Sequence, residues 1–145
     1  MSRIQTLYSG TSLENIKACA RVRYDRIYFY KDFQANYDFR QIYFSPSLTE
    51  AADYAVSKHV FDGRSPVVIE GKMSAQLGPS LSWGTPFPMD KLWLPKPEIK
   101  ISTYEYLINL DQSESEEILS FFEEASILDV LAEIGWVPLI APDLV

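Results

Sequence analysis

Two stretches of the chain, RIQTLYSGTSLENIKACA (3–20) and QIYFSPSLTEAADYAVSKHV (41–60), follow the same plan. Each begins with a short segment that reads as a strand. Each then turns a corner of small residues and enters a helical pattern. At both corners a hydroxyl residue is followed three positions later by glutamate: Thr11 with Glu14, and Ser47 with Glu50. This is the capping-box spacing, in which the hydroxyl accepts a free helix N–H and the acid reaches back. In the second unit Leu48, Ala51, Ala52, Ala55, Val56 and Val60 share one helical face. The similarity of the two units reflects common local physics rather than an internal repeat.

Further strands are expected over 24–30 (YDRIYFY), 67–73 (VVIEGKM) and 98–110 (EIKISTYEYLINL), the last as one strand or two with a break. The segment 31–40 has no clean period and reads as a surface loop. The segment 74–97 is rich in Pro, Gly and Ser, carries Trp83 and Trp93, and reads as a long functional loop. An amphipathic helix is expected over 114–125, with Ile118, Phe121 and Phe122 inward, and it continues through 126–136 to a stop at Gly135. Residues 137–145 read as an extended tail. This order of elements predicts an α+β fold with antiparallel strands beside a few helices.

The 145 residues fit one domain, 1–145, and suffice for a substantial core. The formal net charge of −7 disfavours duplex nucleic acid or an anionic membrane as a partner, because phosphate binding needs basic surface. Arg21, Arg23, Arg26, Lys31 and Arg40 nevertheless cluster early, whereas the acid concentrates over 111–124. That asymmetry fits either a solvated surface or a basic face for a small phosphorylated ligand. Aromatic residues reach 14%, more than a core requires, which suggests a groove or stacking surface. Cys19 is the only cysteine, so no intramolecular disulfide can form, and its apolar neighbours predict a buried structural thiol. With His59 the sole histidine, no metal-ligand set is expected. The N-terminus does not read as a signal peptide and no stretch reaches transmembrane length, so an intracellular, cytoplasmic setting is the default expectation.

Three segments, LYSGTS (7–12), IYFSPSLTEAADYA (42–55) and YEYLI (104–108), resemble in this order the motifs of the ADP-ribosyltransferase superfamily. That resemblance implies a split antiparallel β-sandwich with flanking helices and a cleft between two small sheets. It also implies cleavage of the nicotinamide–ribose bond of NAD, with transfer to an acceptor, for instance a protein, or to water. By the same resemblance Glu105 stabilises the ribosyl cation, Tyr43 stacks on the ring and Tyr54 packs behind it. Ser9, Gly10 and Thr11 occupy the first motif, Ser9 and Gly10 shaping the nicotinamide side, and Ser45 and Ser47 resemble a serine corner.

The chain departs from the family at Ser9, where the family carries histidine or arginine, and at Thr103, where arginine-directed members carry a second acid. Serine cannot replace a guanidinium at a phosphate. Two alternatives therefore stand beside catalysis: a degenerate module that binds a ligand or protein through the same cleft, and a biosynthetic enzyme that reuses the fold. Structural readings also stand beside the functional ones. Alternation turns Glu105 away from Tyr104 and Tyr106, toward either solvent or a cleft. Tyr43 fits a half-buried strand position, Tyr54 fits helix packing, and Ser47 is first a helix cap worth about 1 kcal/mol.

Overall fold

The computed structural model describes residues 4–30, 42–74, 80–81, 86–110 and 115–140. Arg3, Lys31, Arg40, Trp83, the 31–40 segment and the last five residues of the tail lie outside the described residues.

The nine-residue strand β1 (Ile4–Ser12) leads into α1 (Leu13–Cys19), and the hairpin β2 (Ala20–Arg23) and β3 (Arg26–Phe29) follows. After it come β4 (Ile42–Tyr43), α2 (Leu48–His59), and β5 (Pro66–Ser74). Three shorter strands, β6 (Ser80–Leu81), β7 (Phe87–Pro88) and β8 (Lys91–Pro95), precede α3 (Ile101–Ile108) and α4 (Ser115–Leu119). β9 (Phe122–Ala125) and α5 (Ile127–Glu133) complete the order. The main sheet runs β1-β5-β8-β9, a second runs β2-β3-β7, and β4 pairs with β6, every ladder antiparallel. The α+β class with antiparallel sheets and flanking helices is thus observed.

The main sheet is covered on both sides, which explains the unbroken apolar run of β5. Val67 and Ile69 join one core with Leu7, Ile16, Phe29, Phe87 and Leu92. Val68, pointing the other way, joins Ala51, Ala52, Ala55, Val56, Leu107, Ile118 and Phe122. The first core holds the second sheet and α5 against the main sheet, and the second packs α2, α3 and α4 there. Cys19 is buried in the first core, as its neighbours suggested.

Helix α2 approaches the sheet closely because its facing residues are alanines and because β1 carries a glycine beneath them. A Cβ on Gly10 would collide with the backbone carbonyl of Ala51. Gly10 is therefore a packing requirement before it is anything else.

Three sequence-based expectations are corrected. Residues 101–108 form a helix rather than a strand. The segment is rich in β-formers, but Tyr104, Leu107 and Ile108 at i, i+3, i+4 all reach the core beside α2, and that burial outweighs strand propensity. The helix expected over 114–125 ends at Leu119, and Phe122–Ala125 becomes an edge strand along β8. Glu123 and Glu124 then charge an exposed sheet edge, and Glu124 pairs with Lys91 at 2.6 Å. Within 74–97, the described part is mostly strand, and Trp93 sits on β8 with its indole N–H donating to Glu70.

The capping box at the first corner is also rearranged. Ser12, not Thr11, caps α1 by accepting the Asn15 N–H at 3.1 Å. Glu14 instead accepts the backbone N–H of Ser65, tying α1 to the start of β5. Among the described residues no helix is long and apolar enough to cross a membrane.

Candidate functional site

The segment after β4 is joined to β1 by a single pair of reciprocal bonds. Tyr8 and Ser45 each donate a backbone N–H to the other's carbonyl at 2.8 Å. The Ser9 hydroxyl adds a bond to the Tyr43 carbonyl at 2.8 Å. These contacts bring two of the motif segments, 7–12 and 42–55, side by side at the N-terminal end of α2.

A cleft opens at this junction, about 310 Å³ including its open mouth. Tyr8, Gly10, Tyr43, Phe44, Ser45, Glu50, Ala51 and Tyr54 line it. Tyr43 and Tyr54 are 51% and 38% exposed, so their rings remain available to a ligand rather than sealed in the interior. Tyr8 is half-buried, and its phenol is held above the usual tyrosine range by desolvation and, secondarily, by the nearby charge of Glu70. It therefore stays a neutral hydrogen-bonding group at physiological pH.

The corner leading into α2 sets the position of an acid. The Ser47 hydroxyl accepts the Glu50 N–H at 3.2 Å, as a helix cap should. The reciprocal half of the box is relayed: the Ser47 N–H donates to the Ser45 hydroxyl, which donates to the Glu50 carboxylate, each at 3.0 Å. Pro46 bends the chain here, and Ser45 is the buried hinge of the relay. The result is a carboxylate fixed at the wall of the cleft.

Of the site residues expected from sequence, Gly10, Tyr43, Ser45 and Tyr54 line the cleft. Ser9 and Thr11 are buried behind it, Ser9 bound to the Tyr43 backbone and Thr11 accepting from the Asn15 side chain at 3.2 Å. Ser47 caps the helix.

Glu105 is placed differently from the expectation. It is exposed on α3 and is not among the residues that line the cleft. Its backbone carbonyl accepts from the Asn109 side chain at 2.9 Å. The strand alternation that would have turned it away from Tyr104 and Tyr106, toward solvent or a cleft, does not exist, because the segment is helical. The acid at the cleft is Glu50, which sequence reasoning read only as a cap. Tyr8 and Phe44 were also missed as lining residues, although both lie within the quoted motif segments.

The arginines expected to form a basic face stand elsewhere. Arg21, Arg23 and Arg26 lie on the β2–β3 hairpin, where Arg26 pairs with Asp90 at 2.9 Å and Arg21 donates to the Ala18 and Ala20 carbonyls. Among the described residues no group of three or more His, Cys, Asp or Glu side chains could hold a metal ion. No protein-family model matches the chain, and neither a curated protein nor a solved structure does.

Proposed function

We propose that the chain is a small-molecule binding domain with an ADP-ribosyltransferase-like fold, its cleft taking a flat ring of the kind nucleotides carry. The single observation that carries this reading is the Tyr8–Ser45 bridge. It draws together the two motif segments that resemble that superfamily, and the cleft forms where they meet. Three tyrosines supply stacking surface, and the Glu50 carboxylate supplies a polar group that can orient a ring substituent. The lone buried thiol of Cys19 suits the reducing, intracellular setting in which such ligands are abundant.

NAD and its nicotinamide-bearing fragments are the reference ligands. Isothermal titration with NAD, nicotinamide mononucleotide and nicotinamide tests the reading. Binding that Tyr43→Leu weakens supports it, and absence of binding to all three refutes it.

A second reading, glycosyl transfer from NAD, is favoured by one observation: a carboxylate does stand at the cleft, in Glu50 rather than Glu105. A fixed carboxylate can stabilise an oxocarbenium-like ribosyl cation. Nicotinamide release that Glu50→Gln abolishes and Glu105→Gln leaves intact would establish that chemistry, with either a protein side chain or water as acceptor. Binding without release would leave the domain as a recognition module.

A further inference from the structure

We propose that the outward face of the β2–β3 hairpin is a docking surface for an acidic protein segment in extended conformation, with Tyr24 at the hairpin tip as its anchor. The hairpin register sets Arg21 opposite Tyr28 and Arg23 opposite Arg26. Opposed residues share a face, as do alternate residues along one strand. Arg21, Arg23, Arg26 and Tyr28 therefore stand together on one face, while Ala20 and Phe29 enter the first core and Ile27 packs against it. Tyr24 and Asp25 form the two-residue loop between the strands. Tyr24 is 86% exposed and has a φ of +55°, a left-handed conformation that glycine adopts freely and a bulky residue adopts at a cost. A ring so exposed, on a backbone strained to present it, adds little to the packing of its own chain and offers a large contact to another.

Charge complementarity selects the partner. The Arg23 guanidinium lies 5.7 Å from the Tyr24 ring centroid and that of Arg26 lies 5.5 Å from the Tyr28 centroid, so cations and rings are presented together. Each guanidinium has five N–H donors. Arg26 uses one nitrogen on Asp90 and Arg21 uses one on the Ala18 and Ala20 carbonyls, which leaves donors on both for the fork of a carboxylate. Asp25 and Asp90 offset part of this charge, and the chain as a whole carries −7, so its field opposes the approach of a nucleic acid. A few carboxylates that meet the arginines at short range are a better match. Arg21 and Arg23 are two residues apart on β2, about 6.6 Å, which is also the spacing of alternate residues in an extended peptide. The fitting segment thus carries acids at alternate positions.

Fluorescence anisotropy of the full chain with a labelled Glu-Ser repeat decapeptide, at low ionic strength, tests this. A Gln-Ser repeat of the same length and a short oligothymidylate are the comparison probes. The Glu-Ser peptide should bind saturably and more tightly than either. Arg23→Gln should weaken it about five-fold, the scale of one exposed charge pair. Tyr24→Gly should weaken it too while raising the urea midpoint, because the strain at the turn is relieved. Were Tyr24 only a turn residue, the midpoint would rise and the affinity would stay the same. That outcome, equal affinity for the Glu-Ser and Gln-Ser peptides, tighter binding of the oligonucleotide, no saturable peptide binding, or unchanged affinity in Arg23→Gln would overturn the proposal.

Discussion

The backbones of Tyr8 and Ser45 exchange two hydrogen bonds of 2.8 Å, and that bridge, with the Ser9–Tyr43 bond and the packing of α2 over Gly10, fastens the chain's second strand–corner–helix unit to its first strand. The cleft, its tyrosines and its acid are all consequences of where this bridge sets the Ser45–Ser47 corner.

The corner should prove sensitive to loss of one oxygen. Ser45→Ala leaves the Ser47 N–H without its acceptor and the Glu50 carboxylate without its donor. A cost of about 1–2 kcal/mol is expected from the broken relay. Urea denaturation measures it, and ring-ligand affinity should fall in parallel because Glu50 is no longer held.

Gly10 should tolerate no side chain. Its Cβ would meet the Ala51 carbonyl and the Ala55 backbone, neither of which can turn aside as a flexible side chain would. Gly10→Ala is expected to destabilise by about 1–3 kcal/mol. A lowered denaturation midpoint with unchanged secondary structure by circular dichroism is the expected result.

The helical assignment of 101–108 separates two neighbouring substitutions. Leu107 is 1% exposed in the core beside α2, so Leu107→Ala should cost about 2–5 kcal/mol. Glu105 faces solvent, so Glu105→Gln should stay within about 0.5 kcal/mol of the parent and leave ring binding unaltered. Thermal and urea unfolding of the two variants checks both figures.

These residues also mark how far the sequence could be read. Capping and apolar spacing were enough to place β1, α1, α2 and β5, because in those segments local preference and tertiary burial agree. They disagree at 101–108, where Ile, Thr and Tyr favour a strand but burial at i, i+3, i+4 imposes a helix. They disagree again at Phe122, whose helical spacing from Ile118 concealed an edge strand paired with β8. Half of the site was legible for a related reason. Tyr43, Ser45 and Tyr54 belong to one local motif, whereas the separation of Glu105 from them is set by long-range packing. Glu50 was visible as a cap, but its position at the cleft depends on a relay through Ser45 that spacing does not reveal.

Tyr104 offers a titration signature for the second core. Burial pushes its phenol up to about 12. In the unfolded chain the same group loses its proton near pH 10. The neutral phenol is the form the fold favours, so its contribution to stability is complete below about pH 10. That contribution is lost as pH rises from there through the folded value. Tyr104→Phe should therefore show a smaller decline in stability across this alkaline window than the parent, measured by urea denaturation at successive pH values.

The most direct measurement is an NMR titration of the chain, carrying ring-labelled tyrosine, with nicotinamide mononucleotide. Saturable shifts at Tyr8, Tyr43 and Tyr54, with Tyr104 and Tyr106 of α3 unmoved, are the predicted result. Shifts confined to the α3 tyrosines, or none at any tyrosine up to solubility, would contradict the placement of a ligand site at this cleft.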